Sequence, residues 1–121
     1  MLTDKGIRGV LRLEGLAFAA IALFFYSIAG AGWLVFALLI LAPDLGMLGY
    51  LAGPKIGRLT YNLVHTYLGP VILGAIGWFG NWGILLAIAL IWIVHIGIDR
   101  ALGFGLKLGT FRETHLGPIG R

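Results

Sequence analysis

Apolar residues run along this chain in four blocks, separated by glycine-containing turns rather than by charged loops. The blocks cover Ile7–Ala29, Gly32–Ala52, Ile56–Phe79 and Trp82–Leu106. Each is close to the ~20 residues that an α-helix needs to cross ~30 Å of hydrocarbon. Ser27–Trp33 and Phe79–Trp82 are short uncharged turns, and Gly53-Pro54 is a tight one. Its proline can open the third helix, where a missing N–H costs nothing. The pattern predicts an all-α fold: an integral membrane four-helix bundle, one transmembrane domain over residues 1–121, with a tail from 107 to 121. The first block carries Glu14 and is closely followed by further spans, so it does not read as a cleaved export signal.

Composition turns this pattern into a statement about solvent. Of 121 residues, 60% are hydrophobic and 12% charged, with a mean hydropathy of +0.97, so the medium is a bilayer. The chain has no cysteine, which excludes disulfides and thiolate metal sites. Its 20 glycines are spread through every span, as close helix–helix packing requires.

The placement of charge sets the topology. Lys5, Arg8 and Arg12 precede or open span one, Lys55 and Arg58 follow span two, and Arg100, Lys107, Arg112 and Arg121 close span four or follow it. All 9 basic residues thus fall on one side of a four-span arrangement. The excess of Lys and Arg makes that side cytoplasmic, with both termini inside. Trp33, Trp78 and Trp82 sit at the opposite ends, where interfacial aromatics belong. The expected partners are membrane lipid and, for association, further copies of the chain, with no nucleic acid.

Polar groups converge at one depth. At about 1.5 Å per residue from the cytoplasmic ends, Glu14 lies about 9–10 Å in, Asp44 about 12 Å and His65 about 13 Å. Asp99 and His95 come at about 10 and 16 Å on the same count. Ionisable groups at such depths are costly unless they face the bundle interior and find partners. His95 and Asp99 are four residues apart and share a helix face; Tyr61 and His65 are likewise related. Pro43, just before Asp44, removes a backbone hydrogen bond and predicts a kink that opens a carbonyl and aims the carboxylate inward. Pro70 predicts a lesser disturbance in span three.

Imidazole nitrogen and carboxylate oxygen together suit a divalent metal: Zn, Mn or Fe. The candidate metal ligands are Asp44, His65, His95 and Asp99. Glu14 or His115 is a candidate catalytic base, and Arg100 or Arg12 could hold an anionic lipid head. Bland readings stand beside these. His95 with Asp99 could be a structural pair, His65 could bond through Asn62 or Tyr61, and Glu14 could pair with Arg12, Arg58 or Arg100. The tail, with Phe111, Leu116 and Ile119, could stay free or dock over the cytoplasmic mouth and bring His115 to the polar layer.

"LRLEG" at 11–15, "PDLGMLGYLAGPKIGRLTYNLVHTYLGP" at 43–70, "HIGIDRALGFGLK" at 95–107 and "FRETHLGPIGR" at 111–121 resemble the small bacterial membrane proteins grouped as domain of unknown function 4260. The resemblance implies a bacterial four-span protein of the cytoplasmic (inner) membrane whose family motifs fall at Glu14, Asp44, Asn62, His65, His95, Asp99, Arg100 and His115. A looser similarity is to predicted membrane-bound metal-dependent hydrolases, matched in order by Pro43-Asp44, His65-Thr66 and His95 with Asp99. Gly46 stands where that second family has another Asp, and its N-terminal His motif is missing.

Three functions fit these residues. One is a metal site that hydrolyses a lipid or amphiphile. Another is a structural or accessory membrane subunit. The third is proton-coupled transport or proton relay, for which the outer halves of spans one, three and four offer little polarity.

Overall fold

A computed structural model of the chain describes residues 4–106 and Leu116. The described chain is helical throughout: α1 (Asp4–Ala29), α2 (Trp33–Leu39), a 3₁₀ helix (Ala42–Ala52), α3 (Pro54–Val64), α4 (Leu68–Phe79) and α5 (Gly83–Leu102). These form four rods, because α2 runs into the 3₁₀ helix and α3 is followed by α4. Three rods are long and apolar enough to cross a membrane: Asp4–Ala29, Trp33–Ala52 and Gly83–Leu102.

Two of the expected spans are not continuous α-helices, and proline accounts for both. Pro43 has no N–H to return to the preceding turn, and from Ala42 onward the chain winds as a 3₁₀ helix. Runs longer than 3–4 residues are uncommon in this conformation, yet this one extends for 11. Its sequence supports the tighter winding. With three residues per turn, Pro43, Gly46, Gly49 and Ala52 stack on one face, while Leu45, Leu48 and Leu51 stack on another and are 65%, 60% and 88% exposed. The small face lies on α3, where a Cβ on Gly49 would collide with the Thr60 hydroxyl. Thr60 Oγ1 donates to the Gly46 carbonyl at 2.6 Å across the same contact. In span three, Pro70 cannot bond to the carbonyl of Thr66, so α-helix restarts at Leu68, where a proline is harmless in the first turn. The break at 65–67 leaves two helices of 11 and 12 residues.

α5 is the central rod. It packs against α1 and α4 and touches α2, while α3 packs on the 3₁₀ helix. Lipid tails are as apolar as leucine, so helices in a bilayer associate by close contact rather than by expelling water. The α1–α5 contact shows this: Gly15 meets the backbone of Gly97 and Ala101, and a Cβ on Gly97 would strike the Gly15 carbonyl oxygen. Farther from the charged ends, Tyr26, Ala87 and Ile91 form a buried cluster with Val35, Phe36 and Leu39 around it. Trp33, Trp78 and Trp82 are exposed at that end. At the other end α5 closes in a Schellman motif, with the N–H groups of Gly103 and Phe104 bonded to the carbonyls of Arg100 and Asp99 and Gly103 at φ 92°. Arg12 of α1 adds a bond from Nε to the Ala101 carbonyl at 2.9 Å.

Candidate metal centre

Asp44 lies in the first turn of the 3₁₀ helix, His65 at the end of α3, and His95 and Asp99 one turn apart on α5. Three segments distant in sequence thereby deliver four candidate ligand atoms to one point, all within 4.8 Å of one another. His65 Nε2 lies 3.3 Å from Asp44 Oδ1, 3.2 Å from His95 Nε2 and 3.3 Å from Asp99 Oδ2. His95 Nε2 lies 3.1 Å from each of the same carboxylate oxygens.

Both imidazoles are oriented by broken helix. At the C-cap of α2 the Ile40 carbonyl has lost its partners, since Pro43 has no N–H and Asp44 N–H bonds to Leu41 instead, at 3.0 Å. His95 Nδ1–H donates to that Ile40 carbonyl at 2.6 Å. At the end of α3, the His65 N–H turns to Asn62, which releases the carbonyl of Tyr61. His65 Nδ1–H donates to it at 2.9 Å, and the Tyr61 ring stacks on the imidazole with centroids 3.8 Å apart. A carbonyl only accepts, so each Nδ1 carries a proton and each Nε2 is turned to the centre, where it offers a lone pair when the ring is neutral. With both rings neutral, two such lone pairs and two carboxylate oxygens face one another with no donor among them. A metal ion or protons on Nε2 would resolve that arrangement, and carbonyl-anchored imidazoles are the usual support of metal-binding histidines.

The span-three break supplies further support. The carbonyls of Val64 and His65 are freed there, and α5 satisfies both: Trp92 Nε1 donates to Val64 at 2.6 Å and Arg100 to His65 at 3.3 Å. Arg100 also lies over the Tyr67 ring, 5.2 Å from its centroid.

The residues expected at this layer thus divide. Asp44, His65, His95 and Asp99 come together. Arg100 reaches inward to the break between α3 and α4. Glu14 is exposed on α1, and among the described residues no ion pair joins it to Arg12, Arg58 or Arg100. His115 lies outside the described residues, as does most of the tail; Leu116 is buried. Gly46, which replaces the second Asp of the hydrolase-like pattern, faces α3, where a Cβ would lie 2.6 Å from Val64 Cγ2 and 3.0 Å from the Thr60 carbonyl. Trp92 is the residue that inspection of the sequence passes over. Its signal is an indole, which needs a partner when buried, one turn before His95.

A family model described as Domain of unknown function (DUF4260) matches residues 8–119, and all four candidate ligands fall inside the match. The chain belongs to that family. No curated protein and no solved structure matches it. Family membership therefore brings a sequence pattern but no chemistry, and the geometry of Asp44, His65, His95 and Asp99 carries the functional reading.

Proposed function

We propose that this protein is a metalloprotein of the bacterial cytoplasmic membrane that holds one divalent transition-metal ion between Asp44, His65, His95 and Asp99. One observation carries the proposal. Five of the six separations among the ligand atoms are 3.1–3.3 Å, and the sixth is no more than 4.8 Å. A regular tetrahedron with bonds of about 2.0–2.1 Å, the usual length for zinc to nitrogen or oxygen, has edges of about 3.3–3.4 Å. The two aspartates also balance the charge of a divalent ion. Zn fits this tetrahedron best; Mn and Fe, which favour more oxygen ligands, would need additional groups.

The activity we assign to the site is hydrolysis of a membrane lipid or amphiphile. Access supports it: His65 and His95 side chains are 3% and 4% exposed, whereas Asp99 and Asp44 are 19% and 36% exposed, so the centre opens on its carboxylate side. A divalent ion supplies Lewis acidity and makes water nucleophilic near neutral pH. The chain's own residues hold the imidazoles, exclude solvent on the histidine side and present Asp44, the most exposed ligand, toward an incoming molecule. A structural role is the second reading, favoured by the completeness of the tetrahedron, since structural zinc sites are closed by four protein ligands. For proton relay the structure offers less, as the outer half is filled by the cluster around Tyr26, Ala87 and Ile91.

Metal analysis of protein purified without a histidine tag tests the proposal. We expect about one equivalent of metal, lost in His65→Ala and His95→Ala. Wild-type protein that folds and binds none, even after incubation with Zn²⁺, would end it. Release of lipid products by metal-loaded but not chelated protein then separates hydrolysis from the structural reading.

A further inference from the structure

Beside the metal centre, on the side away from the charged helix ends, lies a cavity of about 220 Å³ walled by Ala42, Pro43, Val64, Ile88, Ile91 and Trp92. Its position relative to the ligands is fixed by the chain itself. Pro43 and Val64 immediately precede Asp44 and His65, and Ile91 is one turn from His95 on α5. Anything seated in the cavity therefore lies within one residue or one helical turn of Asp44, His65 and His95.

We infer that this cavity holds an acyl chain of a membrane lipid, with the head end of the same lipid directed to the metal centre. The inference rests on the metal reading and names the substrate class of that site. Three features of the walls point to an acyl chain. They carry no charged side chain. Their one polar side-chain group is already committed, because the Trp92 indole N–H is spent on the Val64 carbonyl, so a polar ligand would find no side chain to bond. The volume is also sufficient: at about 30 Å³ for a group the size of a water, it takes roughly seven such groups, a length of hydrocarbon chain.

Orientation gives an independent argument. Lys5, Arg8, Arg12, Lys55, Arg58 and Arg100 mark one end of the helices, and the metal layer lies nearer to that end than the cavity does. A lipid in that leaflet points its head toward the charged ends and its tail toward the bilayer midplane. Seated here it would present its linkage region at Asp44 and run its chain past Ile91 and Ile88. The opening of the centre beside Asp44, next to Ala42 and Pro43, is where such a molecule would enter.

Full-length, metal-loaded protein in nanodiscs containing phosphatidylglycerol with a mid-chain diazirine on one acyl chain tests this. After irradiation, peptide mass spectrometry locates the adducts, and metal content is measured on the same preparation. We expect adducts to concentrate on the cavity walls, severalfold above Leu45, Leu48 and Leu51, which face outward from the 3₁₀ helix. Ala42→Phe, and Ile88→Trp as an independent filling variant, should abolish that excess while metal stays at one equivalent. Adducts spread evenly over the outward-facing positions, or an excess unchanged in both filling variants, would overturn the inference and leave the metal reading standing. Concentrated adducts on protein that binds no metal would overturn the head-to-metal arrangement and the metal reading together.

Discussion

Asp99→Asn is the sharpest single perturbation of the centre, because it removes a charge and a ligand while keeping the shape of the side chain. Asp99 Oδ2 sits 3.3 Å from His65 Nε2 and 3.1 Å from His95 Nε2, so it spans two edges of the tetrahedron. Structural zinc sites bind with about 10–16 kcal/mol in total, or about 2.5–4 kcal/mol for each of four ligands. At 1.4 kcal/mol per tenfold, losing one share weakens binding by about 10²–10³-fold. Competition against a chromophoric chelator reads this directly. Thermal denaturation in micelles gives a second reading. At free metal a thousandfold above the wild-type Kd, binding stabilises the fold by about 4 kcal/mol, and a hundredfold loss of affinity leaves about 1.4 kcal/mol. Without metal the sign differs. The Asn amide N–H can donate to an imidazole lone pair, so chelated Asp99→Asn should be at least as stable as chelated wild type. Affinity within threefold of wild type would refute the four-ligand geometry. A variant that loses stability equally with and without metal would show that the His–Asp contacts are a structural lock.

Pro43→Ala restores an N–H one turn after Ile40 and should recapture the carbonyl that orients His95. We expect metal affinity to fall about 10–100-fold, the usual effect of losing an outer partner, with helical circular dichroism unchanged. Gly97→Ala places a methyl against the Gly15 carbonyl and should cost about 1–3 kcal/mol in a denaturation titration. Gly9→Ala meets nothing within 4 Å and should be neutral or stabilising by about 0.5–1 kcal/mol. Gly46→Asp should lower stability and add no metal affinity, because its side chain would be driven into Val64 and the Thr60 carbonyl; tighter metal binding in this variant would contradict the placement of the 3₁₀ helix on α3.

The convergence of four side chains was legible in the sequence because a bilayer penalises every unpartnered ionisable group. Asp44, His65, His95 and Asp99 therefore had to share one depth and face inward. The release of a carbonyl by Pro43 was legible for the same local reason, a missing N–H. The 3₁₀ helix was written in the chain as well, in the period-three run "PDLGMLGYLA", with small residues every third position and leucines every third between them. Counting spans at α-helical rise hid that period.

By itself the sequence determined what is additive along the chain: hydrophobic length, the side on which basic charge lies, and the depth of each polar residue. Only the tertiary structure decided which of the candidate polar residues meet. Depth is a one-dimensional quantity, whereas ligation depends on rotation about each helix axis and on where broken turns leave carbonyls free. That is why Glu14, at a depth similar to Asp99, ends on the exposed face of α1. It is also why Arg100, one residue after a ligand, turns to the backbone of His65 instead of the membrane surface.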